Sequence, residues 1–198
     1  MRTFCRWLGV ILTGAVVSSA AEYFPADALG DTSDQHRFRA DWYSKHLAAM
    51  GEPSLLELSR RDSTAEVYRF LWLRSFHHPI SVRLTIRKDS ALLMSKETNG
   101  KGGYEPGKLI RNATATLSKE QTEWFRGLVE GLAIWKLPTR WSGGIGVDGA
   151  QWIIEMARGG HYHVIDRWSP AASDPVHQLG TTLLINLAHF KLLYEDVY

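Results

Sequence analysis

The residues best suited to chemistry lie in Asp148–Pro170, a stretch that the sequence predicts to be one β-hairpin. Gly159-Gly160 separates two runs rich in β-branched and aromatic residues. A two-residue Gly-Gly loop favours a type I′ turn, because both central residues need positive φ. The turn sets these cross-strand pairs: Arg158 with His161, Met156 with His163, Ile154 with Ile165, and Trp152 with Arg167.

The predicted register brings two carboxylates to the same face of the hairpin. Glu155 and Asp166 become diagonal neighbours, with Cβ atoms roughly 7–8 Å apart. Inverting glycoside hydrolases hold their acid and base at about this separation. One hypothesis is therefore a cell-envelope hydrolase that uses Glu155 and Asp166, assisted by His163 or by His77-His78. Pairing of the acids with arginine or water is the favoured interpretation, because it needs no cleft.

Histidines occur in two pairs that raise the question of a metal. His161 and His163 project from one face of the predicted hairpin, and His77-His78 precedes Pro79 at the end of a strand. A zinc site needs at least three protein ligands. The spacing of the remaining His and acidic residues locates no third ligand, so we predict neither a metal site nor a cofactor.

Tryptophan is abundant, with eight in the chain. Trp141 lies in Arg140-Trp141-Ser142-Gly143-Gly144, which is too polar for a core segment, and Trp168 ends a predicted strand. Exposed indole rings offer flat surfaces to sugars and proteins, and Trp152 opposite Arg167 suits a cation–π pair. We therefore predict a ligand surface at one end of the sheet, formed by Trp141, Trp152, Arg167 and Trp168.

The N-terminus has the pattern of a secretory signal peptide over residues 1–21. Arg2 and Arg6 precede an apolar run over 7–17, and small residues follow at Ser18–Ala21. The run is shorter than the roughly 20 residues of a membrane span, so cleavage is favoured over an uncleaved anchor. We expect no membrane span after cleavage and a periplasmic or secreted location.

The cysteine content and the net charge of the predicted mature chain indicate its compartment and its type of partner. Cleavage removes Cys5, the only cysteine, and the absence of disulfides favours a bacterial exported protein. Cleavage also removes two of the 23 Lys and Arg residues, which leaves 21 basic residues against 21 Asp and Glu. A neutral chain gives no indication of nucleic-acid binding.

Hydrophobic periodicity predicts a single domain after a short leader. Residues 22–34 are predicted to be a flexible leader, and residues 35–198 a single α+β domain. The element order is one helix, four strands, a helix that starts at the Ser118 capping box, the hairpin, and a last helix. Because hairpins dominate, we predict an antiparallel sheet of about six strands with helices packed on one face.

Three segments carry a family resemblance: Tyr68–Arg74 with Phe76–Pro79, Gly102–Gly107, and Asp148–Trp152 with Tyr162–Pro170. On these segments the sequence resembles a family of bacterial secreted proteins of no known activity. The resemblance spans roughly residues 66–190. It implies one secreted domain and implies nothing about mechanism.

Together these features favour a non-enzymatic exported domain that binds a partner protein or a glycan through loops at one end of its sheet. The envelope hydrolase is the alternative, and it requires Glu155 and Asp166 to share a cleft. A third hypothesis is a role in assembling a larger envelope complex, which predicts a wide apolar surface patch.

Overall fold

A computed structural model describes residues 22–25, 28–29, 34–140, 148–192 and 196–198. Within these ranges one six-stranded antiparallel sheet has the strand order β4-β3-β2-β1-β5-β6. The strands are β1 Glu66–Arg74, β2 Ile80–Arg87, β3 Ser90–Thr98, β4 Leu109–Thr116, β5 Ala150–Arg158 and β6 His161–Trp168. The helices are α1 Asp34–Ala49, α2 Leu55–Arg61, α3 Lys119–Gly131 and α4 Pro175–Thr181, with a 3₁₀ turn at Ile134–Lys136 and a π-helical turn at Thr182–Leu187. The predicted α+β class is confirmed.

The β5–β6 hairpin has the register that the sequence predicts. Gly159 and Gly160 have φ values of 60° and 79°, the left-handed conformation that glycine adopts without a Cβ clash. All four predicted cross-strand pairs are present. The sheet therefore places Glu155 and Asp166 on the same face, as expected.

One face of the sheet is covered by α3, α4 and the π-helical turn. Its core is aromatic, with Tyr68, Phe70 and Trp72 of β1 entirely buried. Phe125 of α3 packs edge-on against Tyr68, with ring centroids 5.1 Å apart. Leu179 of α4 completes the same cluster.

The opposite face is covered by α1 and α2. Tyr43 and Leu47 of α1 pack on Leu71 and Ile153, and Leu55 of α2 belongs to a smaller cluster at the other end of the same face. The helices thus lie on both faces of the sheet, which corrects the expectation of a single face. The reason lies in β1, whose side chains are buried at every position on both faces.

The described residues of the predicted leader pack against the domain. Phe24 and Leu29 are buried beside α1, and the Tyr23 hydroxyl donates to the backbone carbonyl of Glu52 at 2.8 Å. The side chain of Ser54 donates to the carbonyl of Glu22 at 2.6 Å. The apolar side chains of these described residues thus complete the α1 face of the core.

The predicted signal segment, residues 1–21, lies outside the described residues. Among the helices that the structure describes, none is long and apolar enough to cross a membrane.

Candidate functional site

A groove opens at the end of the sheet where β1 ends and β5 begins. It is formed by α1, the β1–β2 turn, the loop over residues 99–108, and the residues that flank the β5–β6 hairpin. Its volume is about 560 Å³, within the range typical of small-ligand sites. The lining residues are Phe38, Asp41, Trp42, Lys45, Ser75, Phe76, Gly103, Tyr104, Asp148 and Trp168.

The helix α1 contributes one wall of the groove. Its buried side chains include Tyr43 and Leu47, so Phe38, Asp41 and Lys45 fall on the side turned away from the sheet. Trp42 lies between the two sides, and its indole Nε1 donates to the carbonyl of Gly102 at 2.7 Å. That bond ties α1 to the 99–108 loop and orients the Trp42 ring along the groove.

The 99–108 loop is held by main-chain hydrogen bonds to itself and to the β1–β2 turn. The Asn99 N–H donates to the Lys108 carbonyl at 2.9 Å, and the Gly102 N–H donates to the His77 carbonyl at 3.0 Å. This docking sets Tyr104 beside Phe76, with ring centroids 6.3 Å apart. Both rings remain open to solvent, at 57% and 49% exposure.

Trp168 forms the wall opposite α1. Its indole passes so close to Gly149 that a Cβ there would lie 2.6 Å from the ring, so glycine is required at that position. Ser169 follows in a left-handed conformation with φ of 37°, and its hydroxyl accepts from the Ala150 N–H at 2.9 Å. The chain therefore turns sharply after Trp168, at the edge of the groove.

Two carboxylates line the groove without a hydrogen-bond or ion-pair partner among the described residues. Asp41 and Asp148 are both exposed. Lys45 is also at the groove, but its ammonium pairs with Glu105 at 3.0 Å. The groove thus combines five aromatic rings with two uncompensated negative charges.

The predicted catalytic residue Glu155 lies inside the protein. It is fully buried, and its carboxylate accepts from Arg69 Nε and from the Tyr162 hydroxyl, each at 2.9 Å. Burial raises the pKa of Glu155, and the Arg69 guanidinium opposes that shift. It does not line the groove.

Arg69 belongs to a wider buried network. Glu52 receives Lys96 Nζ at 2.9 Å and Arg83 Nε at 2.8 Å, and it lies 3.5 Å from Arg69. Burial acts to raise the pKa of Glu52, but the three cations hold it below its ordinary value. This set of charges fixes the Glu52–Ser54 segment to the sheet, which is a structural role.

Asp166 is likewise buried. It accepts hydrogen bonds from the Tyr43 hydroxyl at 3.1 Å and from the Gln151 side chain. Burial raises its pKa, and these two donors oppose the shift. Glu155 and Asp166 share a face as predicted, yet each is buried and enclosed by its own donors.

The histidines are separated from those carboxylates. His163 lies on the opposite face, stacked on Trp135 with centroids 6.3 Å apart, and its Nε2 is 2.9 Å from the Leu137 carbonyl. His77 contacts the Tyr198 hydroxyl, and His78 contacts Glu97. Within the described residues, no group of three or more His, Cys, Asp or Glu could hold a metal ion.

The four predicted ligand-binding residues have different positions. Trp168 lines the groove, and Trp141 lies outside the described residues. Trp152 is instead a core residue, fully buried against Phe70.

Arg167 is also buried, and its guanidinium donates at 2.8 Å to the carbonyls of Pro138 and Thr139. It therefore holds the segment that follows the 3₁₀ turn. Trp152 stacks on His177 rather than on Arg167, with ring centroids 4.9 Å apart. Neither Trp152 nor Arg167 presents a surface to a ligand.

Sequence reasoning missed most of the groove. Phe38 and Trp42 of the first helix were not predicted to form a ligand surface, and Phe38 is 67% exposed. One usable signal was present: Asp41 and Lys45, like Phe38 and Trp42, are four residues apart and share a helix face. Tyr104 in the glycine-rich loop was a second signal, since a loop rarely buries an aromatic ring.

No protein-family model matches the chain, and no curated protein matches it. The resemblance to bacterial secreted proteins therefore stays a prediction.

Proposed function

We propose that this protein is an exported binding domain that holds a partner protein or a glycan in the groove at the end of its sheet. The observation that carries the proposal is the concentration of exposed aromatic side chains around one open cavity. Phe38, Phe76 and Tyr104 are among the few large hydrophobic side chains that are substantially exposed in the described chain. Such rings are a frequent source of binding energy in protein and sugar recognition.

The construction of the groove supports binding rather than catalysis. Its charged groups are two carboxylates and a lysine that is already paired with Glu105. The hydrolase hypothesis needs Glu155 and Asp166 at a substrate, and both are enclosed by side-chain donors. Neither carboxylate is therefore open to a substrate in the groove.

Export is the second part of the proposal. It is supported by the basic start, the apolar run over 7–17 and the small residues at 18–21. If the proposal is right, mass spectrometry of the protein recovered outside the cytoplasm gives an N-terminus at Ala21 or Glu22. Recovery of the intact chain with Met1 in the cytoplasm alone would contradict export.

The binding proposal is tested by screening the purified protein on arrays of bacterial envelope glycans and of short synthetic peptides. Trp168→Ala is the groove variant, and Trp124→Ala is the matched control, because Trp124 is 52% exposed on α3 and does not line the groove. Circular dichroism confirms that both variants are folded.

The proposal predicts binding to at least one array member, lost in Trp168→Ala and retained in Trp124→Ala. Absence of binding across both arrays would overturn it. Equal binding by the two variants would also overturn it, because the ligand would then contact another surface.

A further inference from the structure

The groove contains two carboxylates that have no hydrogen-bond donor among the described residues. Among its described donors, Trp42 Nε1 is engaged by the Gly102 carbonyl and Lys45 by Glu105. The Ser75 hydroxyl contacts the Gly149 carbonyl at 3.1 Å. The carboxylates of Asp41 and Asp148, which can only accept when ionised, have no such partner among the described residues. A ligand that satisfies these two carboxylates must therefore bring donors.

The charge of the groove also favours a ligand that carries donors, and specifically a cation. Glu105 neutralises Lys45 at 3.0 Å, which leaves the negative charges of Asp41 and Asp148 facing the cavity. The walls of the cavity are aromatic, and the faces of aromatic rings attract cations. Aromatic rings combined with free carboxylates form the usual environment of a bound organic cation.

From this arrangement we infer that the groove takes an arginine side chain of a partner polypeptide. This inference rests on the proposed binding function and names its ligand group. A guanidinium is planar, so it stacks on indole and phenyl rings, and it donates in a fork that matches a carboxylate. A neutral sugar would leave both aspartates without a countercharge.

The rim of the groove selects a polypeptide over a free small cation. Phe38, Phe76 and Tyr104 have large exposed fractions at its edge, and they give the residues that flank the arginine an apolar surface. Aromatic residues of this kind are enriched in protein interfaces. An arginine within a peptide should therefore bind more tightly than arginine alone.

The test compares N-acetyl-arginine amide with N-acetyl-citrulline amide in NMR titrations of the purified protein. Citrulline has nearly the same shape and lacks the charge. We expect the arginine compound to bind at least about tenfold more tightly, a preference within the range of a cation held by aromatic rings and carboxylates. An apolar-flanked peptide, acetyl-Leu-Arg-Leu amide, should bind more tightly again.

The double variant Asp41→Asn, Asp148→Asn should lose the preference for arginine over citrulline. The matched control is Asp89→Asn, Glu123→Gln, which removes the same charge from the cavity between the β2–β3 turn and α3. The control should keep the preference. Retention of the preference in the groove variant would overturn the inference.

The remaining outcomes separate this inference from the proposed function. Equal binding of arginine and citrulline overturns the inference, while the proposed function stands if an array ligand still depends on Trp168. A peptide that binds no more tightly than the amide overturns the assignment to a polypeptide. Failure of every array member and every arginine probe overturns both proposals.

Discussion

Two pairs of carboxylates on the α1 side of the molecule have opposite surroundings. Glu155 and Asp166 point inward from the sheet, and each is held by donors from neighbouring elements. Asp41 and Asp148 lie at the open groove without such donors in the described chain. The acids with the most unusual surroundings therefore stabilise the fold, whereas the ordinary, exposed acids are available to a ligand.

The largest expected effect on stability comes from breaking the buried ion pair between Arg69 and Glu155. Arg69→Met removes the guanidinium that lies 2.9 Å from Glu155 and 3.5 Å from Glu52. It leaves Glu155 without its countercharge in the interior, which costs about 3–5 kcal/mol of unfolding free energy. Urea unfolding followed by tryptophan fluorescence measures the loss.

The control for that experiment is Arg69→Met combined with Glu155→Leu. Removing both charges should recover much of the loss, because no unpaired carboxylate of this pair stays buried. A loss below about 1 kcal/mol in Arg69→Met alone would contradict a stabilising role for the pair.

A second effect comes from His46, which lies beneath the 99–108 loop. Burial lowers its pKa to about 4, whereas the unfolded chain has a pKa of about 6.5. The unfolded state therefore takes up the proton first, and stability falls as pH decreases from about 6.5 to about 4. Protonation of His46 therefore lowers the unfolding free energy by about 3 kcal/mol between pH 6.5 and pH 4.

Replacing His46 by Leu should remove this part of the pH dependence. The difference in unfolding free energy between the wild type and His46→Leu, measured at pH 7 and pH 4, isolates the effect from other titrating groups. An identical pH profile for wild type and His46→Leu would show that the prediction is wrong.

A smaller effect is expected at Asp166. Tyr43→Phe removes a hydroxyl that donates to the buried carboxylate at 3.1 Å, while the Gln151 donor remains. Leaving a buried acceptor with fewer donors costs about 1–3 kcal/mol. Equilibrium unfolding checks the value, with Tyr104→Phe in the exposed groove as the control that should not change stability.

The smallest effect on stability is expected in the groove. Asp41→Asn combined with Asp148→Asn removes no hydrogen bond or ion pair to a described side chain, so the unfolding free energy should change by less than about 0.5 kcal/mol. Thermal unfolding checks this expectation. A loss as large as that of Arg69→Met would mean that these acids are structural, and the contrast between the two pairs would disappear.

The sequence predicts features that depend on a single local interaction. Gly159-Gly160 specifies the hairpin turn and hence the register of β5 and β6. Ser118 and Gln121 form the predicted capping box at the start of α3. These features are recognisable because the residues that determine them are close together in the chain.

Features set by distant contacts are harder to infer. The helix α2 is short and is absent from the predicted element order, and it is stabilised by Leu55 in a cluster with Val67 and Ala157. Trp152 was placed at a ligand surface, although Gly180 leaves space for its ring in the core, where a Cβ would lie 2.7 Å from it. Neither contact has a signature in local spacing.

The groove could not be predicted without knowledge of the strand order. Phe38, Phe76, Tyr104 and Trp168 are far apart in sequence, and they meet only because β1 lies between β2 and β5 at the centre of the sheet. Trp168 alone was found in advance, from its place at a strand end. A pattern within one segment cannot show which loops share an end of the sheet.

The most direct test of the groove as the binding site is an NMR titration of the ¹⁵N-labelled indole groups. The titrant is the array glycan or peptide that binds most tightly. We predict that the Trp42 and Trp168 signals shift, while the buried Trp152 and the exposed Trp124 signals stay fixed. A shift at Trp124 with no change at Trp42 and Trp168 would contradict the account, because the ligand would then lie outside the groove.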